Sequence, residues 1–341
     1  MSAQILDTER LQSYLEQNLP GFSGTLTAEK FAGGQSNPTF RLSADGRHYV
    51  LRRKPPGELL ASAHAVDREF RVISALGGTD VPVPRAYLLC EDESIIGSMF
   101  YIMEYLDGRV FWDPTLPEIP DNAERAAMYD EMNRVLAALH SVDVDGVGLT
   151  DFGRPGNYYA RQISRWTKQY RASETEHSDA MEVLMAWLPE HMPEDDGAVS
   201  LVHGDYRLDN VMFHASEPRI IAVLDWELST LGHPLADLAY QVMAWHLPGD
   251  AGLRGLLGVD RQSLGLPEDN EYITAYCRRT GREGIDNWNF YLVFCFFRLA
   301  AILQGVKKRA LMGNASSAEA EAKGALVEPL ARFGVDLINQ R

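Results

Sequence analysis

The feature that most restricts how this chain can fold is a short island of strand signal inside a long helical stretch. Between about Leu201 and Trp226 the sequence reads LVHGD, then NVMFH, a turn over Ala215–Pro218, and RIIAVLDW. These are β-prone runs bounded by turn residues. The composition on both sides is helical. Asn122–Leu139 and Tyr158–Leu188 are expected to be the longest helices before the island, and helices resume from Leu235 to the end.

The first hundred residues read differently, as strands with one helix. Thr25–Phe31 and Thr39–Ser43 are short β-prone runs, and Asp45-Gly46 marks a hairpin turn into His48–Arg53. After Pro55-Pro56-Gly57 a helix is expected from about Ala61 to Leu76, because Val66, Phe70, Ile73 and Leu76 recur at helical spacing. Pro82 and Pro84 break the chain before a further strand pair, Arg85–Cys90 and Ser98–Tyr105. The expectation is an α+β chain of two lobes. A small β-rich lobe spans 1–106 with a hinge at about 103–108, and a helical lobe spans 107–341 and carries one β-hairpin.

Charge and cysteines narrow the function classes. With 32 Lys+Arg against 48 Asp+Glu the net charge is −16, which disfavours bulk binding to nucleic acid or an anionic membrane surface. Cys90, Cys277 and Cys295 are far apart and form no CxxC pair, as expected of reduced thiols in a cytoplasmic protein. The first residues read as an amphipathic helix and lack a signal-peptide pattern. The most apolar run, Tyr291–Leu303, has 13 residues with Arg298 in its middle, so a buried core helix is expected there.

The island also carries the chemistry. His203-Gly204-Asp205-Tyr206-Arg207-Leu208-Asp209-Asn210 has the spacing H-x-D-x-x-x-x-N, and Asp225-Trp226-Glu227 follows at the end of the second strand. Phosphoryl transfer needs this combination: one carboxylate to orient and accept the proton of the attacking hydroxyl, and an amide oxygen with a second carboxylate to hold Mg²⁺. On these residues the sequence resembles the kinase-like fold, and within it the aminoglycoside phosphotransferase family. The resemblance implies a bilobal protein-kinase-like fold using ATP and Mg²⁺. Asp205 would be the catalytic base, Asn210 and Asp225 the Mg²⁺ ligands, and His203 a brace for the loop. Asp237 resembles the family's aspartate that supports this loop from a helix start.

The first lobe can be examined separately. Glu69 falls on the apolar face of its helix, between Ile73 and Leu76, and a carboxylate buried there needs a cation. Strand alternation puts Val50 and Arg52 on one face and Tyr49, Leu51 and Arg53 on the other. By resemblance Arg52 takes the place of the kinase strand lysine, so an Arg52–Glu69 pair that positions nucleotide is expected. Arginine is a departure from lysine, since its planar fork binds two oxygens at once. Gly33-Gly34-Gln35-Ser36-Asn37 lies where kinases fold a glycine-rich loop over phosphates, although two adjacent glycines alone read equally as a turn. Met103-Glu104-Tyr105-Leu106 would be the hinge that meets adenine, or an ordinary strand end. Arg207 would meet the transferring phosphate, or be solvated.

Only nine residues separate Glu227 from Asp237 and no A-P-E segment follows, so a small-molecule acceptor is expected rather than a polypeptide. The segments GGQSNPTF, YVLRRKPPGELLASAHAVDREF and GDYRLDNVMFH…AVLDWELSTLGHPLADLAY most resemble the kinase-like domains fused to acyl-CoA dehydrogenases. That resemblance implies a hydroxyacyl-CoA type of acceptor. Arg161, Arg165 and Lys168 make a basic helix face that suits an anionic substrate or is merely solvated. The alternatives are an aminoglycoside acceptor, a non-catalytic pseudokinase, to which Arg52 is the one pointer, and a metal-dependent hydrolase, which lacks clustered histidine ligands.

Overall fold

The computed structural model describes residues 6–31, 37–55, 65–249, 253–312 and 318–340. In chain order the first elements are α1 (Thr8–Asn18), β1 (Thr27–Lys30), β2 (Thr39–Ala44), β3 (Arg47–Arg53), α2 (Val66–Leu76), β4 (Ala86–Cys90), β5 (Phe100–Glu104) and β6 (Gly108–Arg109). Then come α3 (Asn122–His140), α4 (Tyr158–Ser173), α5 (Asp179–Glu190), β7 (Ser200–Val202), β8 (Val211–His214), β9 (Ile220–Val223) and β10 (Thr230–Gly232). The chain ends with α6 (Leu235–Trp245), α7 (Asp269–Thr280), α8 (Trp288–Leu311), α9 (Ala318–Ala325) and α10 (Val327–Asn339).

Packing divides these elements into two units. The first comprises Met1–Val110, Asp145–Leu149 and Asn210–Ser229, and the second comprises the rest. The β8–β9 hairpin, expected with the helical lobe, therefore groups with the first unit. The reason is local pairing: β6 adds to β8, with Gly108 opposite His214 and Arg109 opposite Phe213. Arg109 then caps the hairpin by donating to the carbonyls of His214 and Glu217 at 2.9 and 3.0 Å.

In the first unit an antiparallel sheet of order β1-β2-β3-β5-β4 is built on short turns. Asp45 and Gly46 both have positive φ (49° and 73°), the conformation a two-residue hairpin turn requires. Alternation then decides the two faces. Leu42, Leu51, Phe100 and Ile102 join Leu11 and Leu15 of α1 in one core cluster. Arg52 and Tyr101, directly opposite in the β3–β5 register, meet Glu69 of α2 instead. The start of α2 expected at Ala61 lies partly outside the described residues. From Val66 the helix buries Val66, Glu69, Val72, Ile73 and Leu76.

In the second unit α8 is the central element, packed by α4, α5, α6, α9 and α10. It runs for 24 residues, longer than the 13-residue apolar run suggested, so length and composition alone would let it cross a membrane. Its most apolar window is 67% buried within the fold, and Phe290, Phe294, Phe296 and Phe297 each contribute about 1.5–3 kcal/mol as core side chains. The single helix expected over Tyr158–Leu188 is two. α4 ends at Ser173, and Ser178 starts α5 by accepting a hydrogen bond from the Met181 amide. A serine cap offers the backbone a better partner than continued helix.

Gly108 shows how tightly the hairpin is docked. A Cβ there would lie 2.5 Å from the Phe213 carbonyl and 2.6 Å from Met212 Cγ. Gly108→Ala should destabilise the chain by about 1–3 kcal/mol, read as a lower midpoint in urea unfolding.

Candidate active site

In the first unit one guanidinium collects three carboxylates. Arg52 Nε lies 2.8 Å from Glu69, and its Nη2 lies 2.5 Å from Asp225 Oδ1 and 3.7 Å from Glu227. Glu69 is only 1% exposed, and it also accepts hydrogen bonds from the Asn37 amide (2.7 Å) and the Tyr101 hydroxyl (3.1 Å). Burial pushes the Glu69 carboxyl up to about 7, against the pull of Arg52. Burial alone would lower Arg52, but the charges of Glu69, Asp225 and Glu227 carry it above its ordinary value, so it stays a cation. Arginine suits this position because its fork reaches α2 and the segment after β9 at once, which a lysine point charge does not.

The β8–β9 register sets the neighbouring residues. Val211 pairs with Val223, and the Leu224 amide donates to the Asn210 carbonyl at 2.8 Å, so Asp225 is placed beside Asn210. Asp225 adopts a left-handed backbone (φ 63°, ψ 60°), uncommon for a residue with a side chain but tolerated by aspartate. The Asp225 side chain is 36% exposed, and Glu227 is beside it with 22%. An amide oxygen and carboxylates, in a cluster where acids outnumber the single guanidinium, are hard donors that fit Mg²⁺.

The expected adenine-side residues are also in this unit. Val50 and Met103 face each other across β3 and β5 and are buried. Glu104 ends β5 and accepts from the Arg85 amide at 3.1 Å, while Tyr105 packs edge-on to His48. Leu106 follows on the way to β6. Gly33, Gly34, Gln35 and Ser36 lie outside the described residues. Asn37, the last residue of that segment, donates its side-chain amide to Glu69.

The second unit holds the loop after β7. His203 is fully buried, and its Nδ1 accepts from the Asp205 amide at 3.2 Å. Gly204 has φ 86°, a backbone that favours glycine and explains the middle residue of His-Gly-Asp. Asp237, in the first turn of α6, accepts the His203 amide at 2.6 Å and the Gly204 amide at 2.8 Å. His140 joins that carboxylate at 3.3 Å and holds the Tyr276 hydroxyl with its other nitrogen. Burial would raise Asp237, but the bonds from His140 and His203 hold it below the usual carboxylate range.

Asp205 itself is shifted the other way. Burial raises its carboxyl, and Arg207, His203 and a hydrogen bond from Tyr240 offset this only in part. Arg207 is held in a two-point pair by Asp209, with its Nε 3.8 Å from Asp205. No motif in the sequence points to Tyr240, although it sits three residues after Asp237 and so on the same helix face. On α4, Arg161 donates to the Arg154 and Pro155 carbonyls, Arg165 stacks on Trp166, and with Lys168 they line an open groove of about 610 Å³.

This architecture and loop define a kinase-like phosphotransferase fold. The chain belongs to the phosphotransferase enzyme family, whose profile matches residues 27–272. It is 50% identical over 331 residues to mouse acyl-CoA dehydrogenase family member 10, covering 95% of this chain but only 31% of that protein. Among solved structures, a Ralstonia eutropha protein described as a candidate aminoglycoside phosphotransferase is 53% identical, with a TM-score of 0.91 over 98% of this chain and 99% of that one. Aminoglycoside phosphotransferase APH(4)-Ia, solved with AMP-PNP and hygromycin B, shares the fold at 17% identity, with a TM-score of 0.62 over 97% and 99% of the two chains.

Three variants test the electrostatics. Arg52→Met, which strips Glu69 of its cation, should cost about 3 kcal/mol in urea unfolding, and Arg52→Lys less. Because the folded Asp237 carboxyl is depressed, its contribution is complete above the ordinary aspartate range near about 4 and is lost as pH falls through the lower folded value. The stability gap between the parent chain and Asp237→Asn should therefore be widest near neutrality and close in acid.

Proposed function

We propose that this chain transfers the γ-phosphoryl group of ATP, with Mg²⁺, to a hydroxyl of a small molecule, and that the acceptor is of the hydroxyacyl-CoA type. The observation that carries the reading is Asp205, a carboxylate whose loop is fixed by two backbone bonds to Asp237 and whose proton affinity is raised by burial. Such a group suits a general base working near neutral pH.

In this reaction Asp205 takes the hydroxyl proton as the new O–P bond forms, and the bond from the γ-phosphorus to the ADP oxygen breaks. Arg52 binds phosphate oxygens while Glu69 keeps it oriented from behind. Asn210 and Asp225 would hold Mg²⁺, which when bound would supply charge neutralisation for the triphosphate. Arg207 supports the base as a nearby cation, its own direction set by Asp209. His203 contributes through the loop backbone.

ATP use is supported by the AMP-PNP complex of APH(4)-Ia, and the acyl acceptor by similarity to the dehydrogenase family member, whose remaining length this chain does not span. The basic residues on α4 agree with an anionic acceptor rather than a polycationic aminoglycoside.

The test is ADP release from purified protein with Mg-ATP over panels of hydroxyacyl-CoAs and aminoglycosides. Turnover is expected with the acyl panel, and Asp205→Ala should lower it by about a hundredfold or more. The acid limb of the kcat profile should lie above about 4, the ordinary aspartate value, since the raised base must lose its proton to work. Turnover confined to aminoglycosides would overturn the acyl acceptor. Undiminished turnover in Asp205→Ala would overturn the base.

A further inference from the structure

Arg298 is an arginine in the middle of the long apolar helix α8. The residues before it on α8, Phe290 to Phe297, are all buried, and Arg298 itself is half-buried. Its Nε is buried and has no hydrogen-bond partner among the described residues. A leucine or methionine would fill such a position without taking a charge out of water. The cost calls for a reason other than stability.

Its contacts supply one. Arg298 Nη2 donates to the Gly204 carbonyl at 3.0 Å. That carbonyl belongs to the peptide unit joining Gly204 to Asp205, whose N–H donates to His203 Nδ1 at 3.2 Å. The preceding peptide is held by the Gly204 amide on Asp237 at 2.8 Å. Both peptide planes flanking Gly204 are therefore pinned, one by α6 and the other by Arg298 and His203 together. A glycine at φ 86° has few steric limits of its own, so these bonds set the direction in which the Asp205 side chain leaves the backbone. The guanidinium also lies 5.4 Å from the ring centre of Tyr240 and 5.9 Å from that of Trp166. Tyr240 hydrogen-bonds the Asp205 carboxylate through its hydroxyl.

We propose that Arg298 and Tyr240 are positioning residues for Asp205, the first fixing the Gly204–Asp205 peptide plane and the second fixing the carboxylate. This deepens the proposed function and rests on Asp205 being its base. A base that must meet a hydroxyl proton tolerates little misplacement, and the structure holds it from the backbone and from the side chain at once.

The experiment compares Arg298→Met, Arg298→Lys and Tyr240→Phe with the parent chain. ADP release is followed with Mg-ATP and a 3-hydroxyacyl-CoA, or with water as the acceptor where the acyl compound gives none. Arg298→Met should lower kcat by about tenfold to a hundredfold while KM for Mg-ATP stays within about twofold, with no fall in Tm. Arg298→Lys, which keeps a donor, should recover part of the loss. Tyr240→Phe, which removes one hydroxyl, should lower kcat by about threefold to tenfold with KM again unchanged. Amide hydrogen exchange should accelerate over His203–Leu208 in Arg298→Met and nowhere else.

An unchanged kcat with unchanged exchange would overturn the proposal. So would a loss of activity that tracks a loss of Tm or a global rise in exchange. Asp205→Asn in the same assay separates the two readings. If it retains full turnover, the base assignment fails, while the exchange result still decides whether Arg298 pins the loop.

Discussion

The first unit depends on Arg52. Glu69 is buried on the face of α2 that meets the sheet, and it would be untenable there as a lone charge. Arg52 makes it tenable, and the same guanidinium reaches Asp225 and Glu227 beyond β9. One side chain thus links the strand that presents it, the helix packed on that strand, and the hairpin docked by β6. A fork is needed because the carboxylates approach from different directions.

The second unit solves a different problem, the fixing of a short loop with no secondary structure of its own. It does so chiefly with partners for the backbone. Asp237 takes two consecutive amides, His203 a third, and Arg298 the intervening carbonyl. With the polar groups of the main chain so engaged, Asp205 can be partly buried, and burial is what raises its affinity for a proton.

Much of this was legible in the sequence because it follows from periodicity. Helical phase put Glu69 on a buried face in need of a cation, strand alternation separated Arg52 from Arg53, and the resemblance to the kinase strand lysine singled out Arg52 as its partner. Spacing likewise brought Asn210 and Asp225 to adjoining strand ends. What periodicity cannot carry is the choice of partner over distance. The side-chain amide of Asn37 meets Glu69, 32 residues further on, a contact that local spacing does not announce. Arg298 was visible as a charge in an apolar helix, but its target lies 94 residues away. The break between α4 and α5 turned on a single capping serine, too weak a signal against a long helical composition.

The make-up of the first unit bears on the order in which it is completed during synthesis. Asp237 braces residues 33 and 34 positions before it, so that loop closes soon after its parts are made. Arg52 and Asp225 are 173 residues apart. When the ribosome has made the first 110 residues, Arg52 has Glu69, but the hairpin that belongs to the same unit does not yet exist. At about 5–20 residues per second, more than a hundred further residues delay it by roughly 5–25 s. For that interval the nascent sheet carries Arg52 without Asp225 or Glu227 and Gly108 without its partner strand, so the amino-terminal lobe cannot finish folding in the order in which it is translated.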